Sequence, residues 1–255
     1  MSDEEPLTGG NVAGRVVRVG ATVRKPATAA TPAVHALLCH LHDVGFTGAP
    51  RSFGVDDQGR HVLEYVPGVL DRLPDIARVG RLIRDFHDAV AGFRPPSGAA
   101  WDVVIPPDRD ELICHHDLAP WNLVVNDDRW VFIDWDGAGP GSRLWDLAYA
   151  AHGFVPLSPN GNPATDGPRL RALADGYGLT ARQRARLPAL ITAHTRGMYD
   201  LLVRGGATGE QPWARLFAEG HADHWGPAAD YIERHEPVWT SALSGDGGPA
   251  GAQHP

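Results

Sequence analysis

Short alternating runs of apolar and polar residues dominate the first quarter of the chain, and a hydrophobic period of three to four residues dominates the rest. Val16-Val17-Arg18-Val19 and Thr22-Val23-Arg24-Lys25, joined by Gly20-Ala21, predict a β-hairpin whose two-residue turn opens on glycine. Pro26 ends its second strand. Thr31-Pro32 starts a helix on which Val34, Leu37, Leu38 and Leu41 recur at helical spacing until Gly45 stops it. Residues 51–55 and 60–65, around the turn Asp56-Asp57-Gln58-Gly59, predict a second hairpin, closed by Val66-Pro67-Gly68. Two hairpins interrupted by one helix make a small antiparallel layer.

Beyond it, Ile76, Val79, Ile83, Phe86 and Val90 step by three and four, with Leu82 widening the stripe, and predict a core helix on which His87 reads as a packed or capping histidine. Residues 93–107 read as a loop. A helix begins at Leu147, residues 156–168 are rich in Pro, Asn and Gly and predict a loop, and Thr180 with Gln183 forms a capping box. Leu187, Leu190, Ile191, Met198, Leu201 and Leu202 follow at helical spacing, with a bend expected at Pro188. Further helix is expected around 213–217 and 228–232, and Gly, Pro and polar residues from 244 to 255 predict a disordered tail. Nothing repeats internally. The pattern is α+β: a small antiparallel sheet with one helix over residues 1–66, then a larger, mostly helical part over 67–243.

Between the two helical stretches lies the candidate chemistry. Glu111-Leu112-Ile113-Cys114 is a short strand, His115 to Trp121 a turn-rich loop containing Pro120, and Leu123-Val124-Val125 a second strand. After the turn Asn126-Asp127-Asp128, the run Trp130-Val131-Phe132-Ile133 delivers Asp134 at its end. The hairpin returns Asp134 beside Asp117 and Asn122. A carboxylate beside an attacking hydroxyl, together with oxygen ligands for Mg²⁺, is what transfer of a nucleotide's terminal phosphoryl group requires, because that chemistry is mostly placement and charge neutralisation. Asp117 is thus the candidate catalytic group, and Asn122 and Asp134 the candidate metal ligands. The competing explanation is that Asp117 and Asn122 only make turn bonds and Asp134 caps a strand end.

The run Ile113 to Asn122, Ile133-Asp134-Trp135-Asp136 and Trp145-Asp146-Leu147-Ala148 resemble, in order, the catalytic loop, the metal-binding aspartate and the Asp-Leu-Ala helix start of the aminoglycoside phosphotransferase family. These are small-molecule kinases of the protein-kinase fold. The similarity runs from about Leu7 to about Leu243 and is sharp between Leu112 and Tyr149. It implies a two-lobed kinase-like fold, ATP and Mg²⁺ as cofactors, and phosphorylation of a hydroxyl on a small, aminoglycoside-like, cationic or sugar-like acceptor, with antibiotics among the candidates. Asp146 would steady the catalytic loop. Lys25 would bind phosphates, sharing its strand face with Val23, whereas a one-residue slip would give that role to Arg24. Gly9 and Gly10 would lie in a phosphate-covering loop, and the backbone of Glu64, Tyr65 and Val66 would meet the adenine edge. Glu210, Glu219, Asp223, Asp230 and Glu233 are candidates to face a cationic acceptor. Two positions depart from the family pattern: His116 stands where a glycine is more usual, and the helix starting at Thr31 carries His35 where a glutamate would pair with the lysine.

Composition trims the alternatives. With 43% hydrophobic and 21% charged residues, 255 residues can bury a core, and no apolar run is long enough to span a membrane. The acidic start Met1-Ser2-Asp3-Glu4-Glu5 lacks a signal-peptide pattern, so a cytoplasmic location is expected. A net charge of -8 argues against nucleic acid as a partner and suits a cationic one. Cys39 and Cys114 give neither a disulfide framework nor a zinc spacing. Adjacent His115 and His116 would point apart, which disfavours a metal hydrolase. Eleven residues between Asp134 and Asp146 leave little room for the activation segment of a protein kinase. A nucleotide-binding protein with little transferase activity remains the alternative, because of the missing helix glutamate.

Overall fold

The computed structural model describes residues 4–7, 16–70, 75–127 and 129–244. Gly9 and Gly10 of the expected glycine loop lie outside them, as does the expected tail from residue 245 onward.

The hairpins form as the alternation predicts. β2 (Val17–Val19) and β3 (Thr22–Pro26) pair antiparallel with Val19 opposite Thr22, and β4 (Ser52–Val55) pairs with β5 (Arg60–Glu64). β3 also pairs along its length with β5, placing Lys25 opposite His61. A two-residue strand unseen in the sequence, β1 (Glu5–Pro6), adds to β2 and gives a five-stranded sheet in the order β1-β2-β3-β5-β4. α1 (Thr31–Asp43) carries Pro32 in its first turn, buries Val34, Leu37, Leu38 and Leu41, and ends where Phe46 N–H returns to Leu41 O at 2.9 Å. Its apolar stripe covers the sheet.

After β5 the chain crosses into the helical part. Val69 exchanges two backbone hydrogen bonds of 3.0 Å with Val125, and Asn126 Nδ2 donates to Pro67 O at 2.8 Å, so the connection is pinned to the catalytic hairpin. α2 (Ile76–Val90) is the core helix its period predicts, with Val79, Ile83, Phe86 and Val90 fully buried. It is capped by Asp75, whose carboxylate accepts from the Ala77 and Arg78 amides. Two short strand pairs follow: β6 (Leu112–Cys114), β7 (Leu123–Val125), β8 (Trp130–Phe132) and β9 (Gly139–Gly141), with β7 on β8 and β6 on β9. Then come α3 (Arg143–Phe154), α4 (Pro163–Tyr177), α5 (Ala181–Thr208), α6 (Trp213–Ala218), α7 (Ala222–Arg234) and α8 (Glu236–Ser244). The fold is α+β, two-lobed and protein-kinase-like.

Two expectations need correction. The loop predicted over 156–168 ends at Asn162, which caps α4; Pro163 occupies the first helical turn, where a missing N–H costs nothing, and Pro168 is carried inside the helix. α5, by contrast, is opened by the predicted capping box and carries Pro188 inside it. α8 extends to Ser244, one residue into the expected tail. Pro163, Gly167 and Pro168 give the first turns of α4 the look of a loop. A Cβ on Gly176 would lie 2.0 Å from Ala77 O, and one on Gly80 would lie 2.3 Å from Leu173 O, so these glycines let the α2 and α4 backbones touch. That contact brings Tyr177 against His87 beneath the catalytic loop.

Candidate active site

The loop between β6 and β7 is held from below. Asp146, on the first turn of α3, is fully buried and accepts from the His115 amide at 3.0 Å and the His116 amide at 2.9 Å. His87 Nε2 donates to the same carboxylate at 3.1 Å, and the Tyr177 hydroxyl donates to His87 Nδ1 at 2.8 Å. Burial opposes the charge, but the His87 hydrogen bond and neighbouring histidines hold the Asp146 carboxyl well below the usual carboxylate range. His87 therefore acts as a capping partner, as its position on the helix predicts.

The two loop histidines point apart. His115 is fully buried, its ring 4.5 Å from that of Trp135; Nε2 donates to Ile133 O at 3.1 Å and Nδ1 accepts the Asp117 amide at 3.2 Å. That is a neutral tautomer, and burial pushes its pKa down to about 4. His116 Nε2 instead donates between Pro140 O at 3.0 Å and Gly139 O at 3.2 Å. A metal site using both rings has no geometry here.

His116 sits at φ 65°, in the left-handed region where glycine is unstrained. The strain of about 1–2 kcal/mol is offset by the ring's two carbonyl acceptors on β9. His116→Gly is therefore expected to change stability by less than about 1 kcal/mol, while His116→Ala, which keeps the strain and loses the bonds, is expected to lose about 1–3 kcal/mol. Urea denaturation of the pair checks this; equal stability of the two variants would remove the strain argument.

Asp117 and Asn122 come together across the loop. The backbone turn Pro120–Asn122 brings Asn122 Nδ2 to Asp117 Oδ2 at 2.7 Å and to Asp117 O at 3.0 Å. Ile133 N–H donates to Asn122 O at 2.8 Å, continuing the β7–β8 register, so Asp134 emerges beside Asn122 as the hairpin predicts. Asp134 takes φ 62°, which turns its carboxylate into the cleft toward the sheet. Asp117 is half-buried, and its pKa is pushed up to about 6 by burial, with the Asp134 charge adding to the rise and bonds from Tyr149 and Asn122 opposing it.

Lys25 reaches the same cleft from β3. It is buried, 6% exposed, with Nζ 3.2 Å from Asp134 Oδ1 and 2.8 Å from Asp136 Oδ1. Burial alone would lower its pKa, but the two carboxylates outweigh it and the ammonium stands above its ordinary value. The neighbouring Arg24 projects to the other face and pairs with Asp56 at 3.2 Å, so the one-residue slip that would have made it the cleft cation does not occur. Of the three expected hinge residues, Glu64 is taken up structurally: its amide donates to Arg51 O at 2.8 Å, and its carboxylate accepts from the Arg51 amide and Arg129, while the Tyr65 amide donates to Ala21 O at 2.9 Å. Val66 is buried, and its backbone amide and carbonyl pair with nothing among the described residues.

Around Tyr149 the surroundings are aromatic. Tyr149 lies one turn beyond Asp146 on α3, interacts directly with Asp117, and stacks 6.3 Å from Trp225 at an interplanar angle of 13°. His194 is 5.0 Å from Tyr149 and 4.8 Å from Trp145, and the His152 ring is 4.6 Å from Trp225. Burial pushes both histidines down to about 3, so they are neutral. Tyr149 was missed in the sequence, although its spacing of three from Asp146 puts both on one helix face. Of the acidic residues expected at an acceptor pocket, Asp230 and Glu233 pair with Arg196 at 2.6 and 3.5 Å, Glu219 pairs with Arg215 at 2.9 Å, and Glu210 and Asp223 are exposed.

A buried aspartate gripping a loop whose own aspartate and asparagine face a lysine across a cleft defines a class. The chain belongs to the phosphotransferase enzyme family, matching it over residues 9–188. It is 33% identical over 208 residues to the trifolitoxin immunity protein of Rhizobium leguminosarum bv. trifolii, an alignment covering 72% of this chain and 77% of that protein. A microcompartment-associated aminopropanol kinase has the same fold, with a TM-score of 0.68 at 16% identity over 94% of both chains. So does the amicoumacin kinase hAmiN, solved in complex with AMP-PNP, Ca²⁺ and Ami, with a TM-score of 0.65 at 13% identity over 92% of this chain and 89% of that one.

Proposed function

We propose that the protein transfers the terminal phosphoryl group of ATP, with Mg²⁺, to a hydroxyl of a small molecule. The observation that carries this is the bonded pair Asp117 and Asn122 facing Asp134 and Lys25. Asp117 accepts the acceptor's hydroxyl proton, and a carboxyl with a pKa near 6 is basic enough to take it yet ionised at neutral pH. Lys25 holds the phosphates, and the Val66 amide and carbonyl, unpaired among the described residues, meet the adenine edge. The donor set fits Mg²⁺: Asp134 offers a carboxylate, and Asn122 commits its NH₂ to Asp117 and so turns its carbonyl oxygen outward. Mg²⁺, when bound there, neutralises charge on the phosphates. Asp134→Ala is expected to abolish the Mg²⁺-dependent component of ATP binding; titration of the nucleotide with and without the metal checks it, and a variant that keeps the full metal dependence would sink the assignment.

For the acceptor we infer a cationic or sugar-like hydroxyl compound set against the Tyr149–Trp225 wall, whose π faces suit either an ammonium or the apolar face of a sugar. His152 and His194 each keep a buried Nδ1 without a partner among the described residues, and both border that wall, which favours an acceptor with hydrogen-bonding groups of its own. The likeness to an immunity protein supports inactivation of a toxic compound as the purpose. The second reading, nucleotide binding without useful transfer, is favoured by the absence of an acidic residue on α1 before Asp43. ATP consumption against a panel of amino sugars, amino alcohols and macrolides separates the two: tight binding with no turnover on any of them favours the binding protein.

A further inference from the structure

We infer that Asp136 is the positioning residue for Lys25, doing from the helical lobe what a carboxylate on α1 would otherwise do from within the sheet lobe. The inference rests on the proposed role of Lys25 at the phosphates and deepens it. On the sheet side, the place from which α1 could reach the lysine is occupied by a chain of hydrogen-bonded groups, none of which can carry a negative charge. His35 Nδ1 is 2.8 Å from Ser52 Oγ, Ser52 Oγ is 2.8 Å from His61 Nε2, and His61 is the strand partner of Lys25 on β5, buried to 1% exposure. His35 is thus tied to the sheet and is no counter-ion for the ammonium. α1 brings no carboxylate of its own, because its first acidic residue is Asp43 at the far end.

The helical lobe supplies two carboxylates, and they have different duties. Asp134 Oδ1 lies 3.2 Å from Lys25 Nζ and Asp136 Oδ1 lies 2.8 Å away. Asp134 is the candidate metal ligand, and a cation bound there competes with the lysine for its oxygens. Asp136 does not face that competition. It rides on the turn Trp135–Gly137, which is locked in place: Trp135 is 1% exposed, its indole N–H donates to Phe132 O at 2.8 Å, and the Ala138 amide returns to Trp135 O at 3.0 Å. A lysine on β3 is thereby fixed by a rigid turn of the other lobe. Its placement then depends on the two lobes being together, and nucleotide binding is coupled to that contact.

The test measures ATP dissociation constants for the full-length wild type, Lys25→Met, Asp136→Asn and the double variant, in Mg²⁺ and in chelator, with melting curves confirming that each folds. Asp136→Asn is isosteric at a position whose side chain is 38% exposed, so the fold is expected to persist. Asp136→Asn is expected to weaken ATP binding about ten-fold in both conditions and to add little to Lys25→Met, because contacting residues are coupled. Additive effects, or unchanged affinity, would overturn the inference. A loss confined to Mg²⁺ would also overturn it, by making Asp136 a metal ligand. A wild-type chain that binds no ATP would overturn the proposed function itself, and this inference with it.

Discussion

Asp117→Asn is expected to lower phosphoryl transfer by about two to four orders of magnitude, the usual worth of a positioned base, with ATP affinity nearly unchanged. The split follows from what the side chain touches. Asp117 accepts from Asn122 Nδ2 and interacts with Tyr149, on the acceptor side of the cleft, while Lys25 is held by Asp134 and Asp136. An asparagine is isosteric, but its amide N–H cannot take a proton, and its NH₂ set against that of Asn122 forces one of the two to turn. A pH profile gives an independent check. The Asp117 carboxyl is pushed up to about 6, chiefly by burial, and must be ionised to act as base, so kcat/KM is expected to fall as the pH drops through about 6. Tyr149→Phe removes a bond that favours the ionised form and is expected to move that limb to higher pH. Turnover of Asp117→Asn at the wild-type rate would defeat the assignment, and a flat profile between pH 5 and 8 would defeat the account of the base.

The parts of the site that were legible in the sequence are those built by local rules. Two apolar runs around an Asn-Asp-Asp turn give a hairpin, and a hairpin in register returns its last residue to its first, so Asn122 and Asp134 had to meet. Alternation along β3 likewise separated Lys25 from Arg24 once the strand's face was fixed. What escaped was set by contacts distant in sequence. Lys25 and Asp134 are 109 residues apart, and nothing in the local pattern around Asp136 marks it as the lysine's second partner. β1 and β9 are two and three residues long and exist only through pairing with β2 and β6. The first turns of α4 read as a loop because they hold Pro163, Gly167 and Pro168, of which Pro163 serves the helix end and Pro168 is carried inside it. The acidic residues that the resemblance offered for an acceptor pocket pair with arginines or are exposed, and the wall beside Asp117 is made of Tyr149, Trp225 and neutral histidines. Net charge reported the surface, and the pocket chemistry is not written in it.

The second large effect is expected where the loop is gripped from below. Asp146→Asn is expected to cost about 3–5 kcal/mol of stability, since it breaks a buried, fully bonded carboxylate network. The aspartate satisfies three donors at once, the His115 amide, the His116 amide and His87 Nε2, and an asparagine has one acceptor oxygen and an NH₂ that confronts the remaining donors. His116 is already strained at φ 65°, so losing the bond to its amide removes part of what holds that conformation, and Asp117 is the next residue. Turnover should therefore fall together with stability even well below the melting temperature. The linkage to pH has a definite sign. The folded-state carboxyl lies well below its unfolded value, so its contribution is fully present above about pH 4 and is lost as the pH falls toward the folded-state value. Urea denaturation across pH 2 to 7 checks both statements: the gap between wild type and Asp146→Asn should be constant near neutrality and shrink on acidification. A variant within 1 kcal/mol of wild type at pH 7 would mean that β6, β9 and the buried His115 ring hold the loop without the carboxylate.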